Sequence, residues 1–292
     1  MPFTFPDRDQ PIAKSVRKLA RNRLEASLAL IAEAERPQGE RVRELRKNIK
    51  KTRALIRLVR PNFKGYEREN DALRTAGRVV ADLRDRDALR DSFDALARRV
   101  YLPLDARAAL REATLTPHEP PAEDAAAAAL TEHGRLVQEI AERLRGWKIA
   151  GSGFDALAPG LERTWTAARR AMHQAAADPT GEALHQWRKR TKDHWYHARL
   201  LTPIWPEMTA HHVAAADALG ERLGEARDLA FLIEALERAG ESAGGGKDFI
   251  AAAREEKERL LSDARTLGAR FFSEPAEGLS RRWRGWWKLW RA

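Results

Sequence analysis

Pro37-Gln-Gly-Glu-Arg-Val-Arg-Glu-Leu-Arg-Lys-Asn-Ile-Lys50 and Pro179-Thr-Gly-Glu-Ala-Leu-His-Gln-Trp-Arg-Lys-Arg-Thr-Lys192 read as one helix written twice. At an offset of 142 positions Pro37 matches Pro179, Gly39 matches Gly181 and Glu40 matches Glu182. The same offset pairs Arg46 with Arg188, Lys47 with Lys189 and Lys50 with Lys192, and sets Arg21 on Arg163 in the preceding segments. At an offset of 143, Leu83-Arg84-Asp85 falls on Ala226-Arg227-Asp228, and Leu89 falls on Leu232. One residue of slippage across a loop is ordinary. Two matches in the same order argue for an internal duplication, with a period too long for a solenoid.

The rest of the chain reads as helix around these two segments. Ala, Leu, Arg and Glu dominate and β-branched runs are scarce, which favours helix over strand. Apolar residues recur at helical spacing, as in Leu24, Leu28 and Ile31, or Leu45, Ile49 and Ile56. Pro and Gly mark the breaks. Pro37-Gln38-Gly39 ends a first long helix that starts near Pro11, and Pro61-Asn62 ends the second. Pro103, Pro117 and Pro120-Pro121 bracket shorter segments. Gly151-Ser152-Gly153 and Pro159-Gly160 predict a loop at mid-chain. Pro179-Thr180-Gly181, Pro203, Pro206, Gly244-Gly245-Gly246 and Pro275 divide the second half. The expectation is an all-α fold of two pseudo-twofold-related antiparallel helical bundles, residues 1–150 and 151–292, forming one domain.

The chemistry lies on one face of each repeated helix. At ~100° per residue, Arg46, Lys47, Lys50, Arg53 and Arg57 all fall within about 80° of Arg43. Leu45, Ile49, Ile56 and Val59 take the other side. In the second half Arg188, Lys189, Lys192, Tyr196 and Arg199 fall within about 60° of His185. Like charges at i, i+3 and i+4 repel by a few tenths of a kcal/mol per pair. Elsewhere the chain intersperses opposite signs, as in Arg254-Glu-Glu-Lys-Glu-Arg259. A cationic face used twice therefore calls for a counter-anion, supplied either by carboxylates of neighbouring helices or by a ligand. Guanidinium forks and ammonium groups suit phosphate oxygens. Their spread along ~15–20 Å of helix suits a linear polyanion better than one phosphate ester.

Composition is consistent with this. The 292 residues carry 53 Lys and Arg against 43 Asp and Glu, a net charge of +10, with a pI near 10.1. Such a balance attracts polyanions without choosing among nucleic acid, anionic membrane and polyphosphate. With no cysteine, disulfides, thiolate metal sites and Cys nucleophiles are excluded. Met1-Pro-Phe-Thr-Phe-Pro-Asp-Arg-Asp9 lacks the basic start and apolar run of a secretory signal. No stretch reaches the ~20 apolar residues needed to span a bilayer. The default expectation is the cytoplasm.

The quoted residues resemble the CHAD family, named for a conserved histidine α-helical domain. Its hallmark is a helix reading His-x-x-Arg-x-x-x-Lys/Arg once per half, with a later Leu-Gly-x-x-Arg-Asp segment. The second half fits through His185, Arg188 and Lys192, followed by Tyr196 and by Leu223-Gly224-Glu-Ala-Arg227-Asp228. The first half departs from the pattern. Arg43 stands where the histidine is expected, and Val80-Ala81 replaces Leu-Gly before Arg84-Asp85. The resemblance spans essentially the whole chain. It implies two bundles whose basic helices line a central groove, binding of inorganic polyphosphate, and association with polyphosphate granules. Some relatives carry a fused CYTH-type triphosphatase domain. No acidic strand pattern of that kind stands here, so the expectation is a stand-alone, non-catalytic module without a cofactor. The expected binding set is Arg21, Arg43, Arg46, Lys47, Lys50, Arg53, Arg57 and Arg84, with Arg163, His185, Arg188, Lys189, Lys192, Tyr196, Arg199 and Arg227.

Other chemistries find less support. His185 and His194 point to opposite sides of one helix, His194 and His197 lack a converging Cys or acidic group, and His211 and His212 diverge. Metal binding is therefore not expected, and these histidines read as surface or supporting residues. His185 is the exception, because it sits in the stripe. No Walker-type loop, Gly-x-Ser-x-Gly elbow or acidic metal cluster appears. Nucleic acid is the main rival ligand, yet the stripes hold few aromatics for base stacking and no nucleic-acid-binding motif. A scaffold for an acidic protein partner is the third reading. Near the C-terminus, Leu279, Trp283, Trp286, Trp287 and Trp290 share one helical face opposite Arg and Lys. That face is expected to dock on the second bundle, with an anionic membrane surface as the alternative.

Overall fold

The computed structural model describes residues 3–5, 8–33, 35–81, 83, 85–98, 104–115, 123–239 and 246–292. Helices α1 (Ile12–Ala32) and α2 (Gln38–Leu58) lead into α3 (Tyr66–Val79), α4 (Asp85–Ala97), α5 (Leu104–Leu115) and α6 (Glu123–Arg143). The second half runs through α7 (Ala158–Ala177), α8 (Gly181–Leu200), α9 (Pro206–Ala239), α10 (Gly246–Phe271) and α11 (Ala276–Arg291). The repeated helices fall where the offset predicts. Each is followed by a single 3-10 turn at the same spacing, Arg60–Asn62 and Thr202–Ile204. Thr180 caps α8, its hydroxyl accepting the Ala183 N–H at 3.2 Å. Glu182 at the N-terminus of α8 and Arg199 at its C-terminus suit the helix dipole.

Helix α1 packs on α2 and α6, and α3 packs on the same two, closing a four-helix bundle. In the second half α8 packs between α7 and α9, α10 lies along α9, and α11 covers α7. Helix α2 also packs on α7 and α8, joining the halves. Helices α4 and α5 leave the first bundle and pack on α9. Phe93 of α4 meets Phe249 of α10 with ring centroids 5.2 Å apart. A large apolar core runs from Phe3 through Leu55 and Trp165 to Trp287, with a smaller cluster of Leu30, Val42, Leu45, Val80 and Leu130 beside it. Of the apolar face predicted for α2, Leu45, Ile49, Ile56 and Val59 are all buried.

Some predicted breaks sit inside helices. Pro159 and Gly160 lie in the first turn of α7 rather than in a loop, because Pro costs no hydrogen bond at a helix start. Gly151 and Gly153 do form the turn, with φ of 78° and 51°. Helix α9 runs unbroken for 34 residues through Gly220 and Gly224, while α3 stops at Val79 and α4 begins afresh at Asp85. Pro103, Pro117, Pro120, Pro121, Gly244 and Gly245 lie outside the described residues.

Candidate functional site

The two basic helices cross. His197 of α8 donates from Nε2 to the Ala54 carbonyl of α2 at 2.9 Å, so the two backbones meet closely. Arg57 faces Asp193 and Lys51 feels Arg199, so the helices run antiparallel. Burial pushes the His197 imidazole down to about 4, leaving it a neutral strut.

On one side of the crossing the charges are paired. Arg57 and Asp193 form an ion pair with side chains only 11% and 12% exposed. Arg190 reaches the second Asp193 oxygen at 3.1 Å. Arg53 and Lys189 lie in the field of the same carboxylate. Asp193 thus holds together cations from both helices. Removing one partner of a buried pair costs about 3–5 kcal/mol, because the other charge is left stranded.

The other side has no acid at the position that corresponds to Asp193, although Glu44 holds Lys47 at 3.1 Å. At the offset of 142, Arg57 corresponds to Arg199 and Asp193 corresponds to Lys51. Lys51 is 8% exposed and sits among Arg199 of α8, Lys47 of α2 and Arg23 of α1. Burial and these cations push its ammonium down to about 8, with Glu44 opposing. Its ammonium lies 5.8 Å from the centre of the Phe3 ring. One end of the crossing is closed by a carboxylate, and the corresponding end gathers positive charge.

Helix α9 seats the α8 cations. A Cβ on Gly224 would lie 2.9 Å from Arg188 Nε, and one on Gly220 would lie 2.5 Å from Lys192 Cδ. The missing side chains let Arg188 and Lys192 lie flat against α9. Lys192 bonds Asp217 and Glu221, each at 2.9 Å. Lys192 and Arg199 stack on Trp195 at 4.1 and 4.7 Å from its ring centre. In the first half Arg46 donates to the Ala81 carbonyl at 2.7 Å, where α3 has ended. Arg53 donates to Asn70 at 3.1 Å.

The sequence-predicted residues of α2 and α8 lie at different depths. Arg43, Lys47, Lys50, Lys189 and Arg227 are exposed, whereas Arg46, Arg53, Arg57, Arg188, Lys192 and Arg199 are half-buried. Tyr196 is buried, its hydroxyl pushed up to about 12 by desolvation. His185 is half-buried, its imidazole held below its usual value by burial, then by Arg227 and Lys189. Arg227 also comes within 4.0 Å of Asp228. Arg21 faces elsewhere. It lines a cleft of about 430 Å³ between α1 and α6 with Glu25, Gln138 and Glu142. Arg23, turned about 160° from it on the helix, is the α1 cation that reaches Lys51. Arg163 is exposed on α7. Arg84 lies outside the described residues.

The sequence reading missed Lys51, Asp193, Arg190 and Arg23. A signal existed for two of them. Asp193 is the lone acid in α8 after Glu182, and the repeat offset lands it on a lysine. Two of the other histidines are a correction, while His211 is exposed as expected. His194 is fully buried and His212 half-buried; their Nε2 atoms meet at 2.7 Å among Trp165, Phe271 and Trp283. Burial holds His194 well below its usual value and His212 down to about 3. Among the described residues no three His, Asp or Glu side chains converge as metal ligands, and no helix is long and apolar enough to cross a membrane. Trp283 and Trp287 of α11 dock into the core, the latter against Phe5 and Phe154.

A family model of the CHAD domain matches residues 4–237. A search of curated proteins returns no significant match. Two solved structures share the fold. PptA from Streptomyces chartreusis superposes with a TM-score of 0.61 at 17% identity, covering 91% of this chain and 100% of that one. The CHAD domain from the plant Ricinus communis gives a TM-score of 0.53 at 18% identity, covering 90% of this chain and 91% of that one. An all-helical chain with two crossed basic helices, matched by the family model over most of its length, belongs to the CHAD domain family.

Proposed function

We propose that this chain is a non-catalytic module that binds a linear phosphate polyanion, inorganic polyphosphate, across the α2/α8 crossing. The observation that carries the reading is the end of the crossing where Lys51, Arg199, Lys47 and Arg23 share one field and the carboxylate of the corresponding end is replaced by Lys51 itself. Phosphate oxygens add negative charge where Glu44 faces several cations, and charge-assisted bonds to Arg and Lys are the strong ones. Exposed Arg43, Lys47, Lys50 and Lys189 extend the cationic surface, matching a chain of phosphates rather than one. The family resemblance supports the same ligand and a role at polyphosphate granules. Arginine stays protonated at neutral pH and moves no proton, which suits holding rather than chemistry.

The test is a titration of inorganic polyphosphate against Lys47→Glu/Lys189→Glu. Both side chains are exposed, so helix content should stay unchanged. We expect affinity to fall at least about tenfold, and wild-type log affinity to fall linearly with log salt. Unchanged affinity overturns the site. Displacement of polyphosphate by double-stranded DNA at equal phosphate concentration overturns the ligand.

A further inference from the structure

Outside the basic crossing, one surface is built for a different contact. Among the described residues the exposed large apolar side chains are Trp205, Met208 and Leu289, the last 77% exposed. Two of them meet. Trp205 and Leu289 line a cleft of about 370 Å³ with Pro203, Trp286 and Trp290. The Trp205 and Trp286 rings stand edge to face at 5.1 Å. Met208 follows three residues after Trp205, in the first turn of α9.

Cations rim this apolar surface. Helix α11 carries Arg281, Arg282, Arg284, Lys288 and Arg291 against Glu277 alone. Arg282 lies over the Trp286 ring at 4.9 Å and Arg291 over Trp287 at 5.9 Å. Glu274 holds Arg282 at 2.7 Å and Asp155 holds Arg284, while Arg281 and Lys288 stand exposed. Trp283 and Trp287 anchor the helix from beneath, so the outer Trp286, Leu289 and Trp290 are presented on a fixed platform. The whole of α11 lies beyond residue 237, where the match to the family ends.

We propose that this aromatic and basic surface, formed by α11 and the start of α9, docks on an anionic lipid bilayer. Tryptophan has an apolar body and a polar N–H and settles at the boundary between headgroups and acyl chains. Leu289 enters the acyl region, and Lys288 and Arg281 meet headgroup phosphates. Each cation near an anionic surface adds to the attraction. A second copy fits poorly, because a self-contact sets two α11 cation rows against each other. The 16 residues of α11 span too little to cross the bilayer, so the contact is peripheral.

The test is flotation with vesicles of phosphatidylglycerol and phosphatidylcholine, compared with phosphatidylcholine alone. The wild-type chain should bind the anionic vesicles. Leu289→Asp and Trp205→Ser, both at exposed positions, should each lower binding at least tenfold with far-UV circular dichroism unchanged. Lys47→Glu/Lys189→Glu should still bind, since those cations belong to the crossing. Failure of the wild type to bind, or undiminished binding by both apolar-site variants, overturns the proposal. Loss of binding in the crossing variant alone assigns the attraction to the other basic surface and also overturns it. A dimer in solution that Leu289→Asp disperses, without vesicle binding, assigns the surface to a second copy instead.

Discussion

The two ends of the α2/α8 crossing occupy corresponding positions and solve opposite problems. At one, Asp193 ties Arg57 and Arg190 together with little exposure to water. At the other, Lys51 takes the carboxylate's place and adds a cation to Arg199, Lys47 and Arg23. The first end holds the halves together. The second accepts a less comfortable arrangement, visible in an ammonium that burial and like charge push down to about 8. A basic helix pair must be stable without its ligand and unsatisfied enough to want it. Here those two demands are met at different ends. The seats beneath the cations differ too. Arg188 lies against Gly224 on an unbroken helix, while Arg46 bonds the Ala81 carbonyl where a helix has stopped.

The largest effect is expected at the paired end. Asp193→Asn strands Arg57 and Arg190 beside Arg53 and Lys189. Urea unfolding should show a loss of about 3 kcal/mol. Polyphosphate affinity should rise, because both ends are then short of negative charge. Gly224→Leu comes next. Its side chain occupies the place of Arg188 Nε, and overpacking costs about 1–3 kcal/mol. Arg188 must lift from α9, and polyphosphate affinity should fall, whereas Gly181→Ala, with open space around it, should change neither.

The smallest change in stability and the sharpest in ligand binding is expected from Lys51→Met. It removes a buried ammonium and keeps the apolar stem, so stability should hold or rise. Affinity should fall about tenfold, the ~1.4 kcal/mol scale of one charge-assisted contact. The pH dependence carries the assignment. In the free chain the Lys51 amine is charged below about 8, and phosphate contact favours the charged form. Affinity is therefore full below that pH and falls as pH rises through it. Calorimetry from pH 7 to 9.5 should show this fall in the wild type and a smaller one in Lys51→Met. Equal slopes would remove Lys51 from the site.

Much of this was legible in the chain. Helical periodicity placed α1 and α2, and a repeated segment located the second basic helix, because like charges on one face are too unfavourable to be incidental. What the repeat could not show was which charges are neutralised by neighbours. Lys192 reads as ligand-binding from its spacing, yet Asp217 and Glu221 on another helix hold it. Arg21 matched Arg163 by offset, but Arg23 faces the crossing, a matter of α1 rotation that no alignment of two short segments fixes. His194 and His212 are 18 residues apart on different helices, and only packing brings their rings into contact.

Helices α4 and α5 belong to the first half by order in the chain and to α9 by contact. That placement has a consequence for modularity. The first half has lent α4 and α5 to the wall of the second, and α2 packs on α7 and α8, so neither half is a self-sufficient unit. Cutting the chain at 150 should give fragments that are poorly folded apart and recover helical structure on mixing, in the manner of a split reporter.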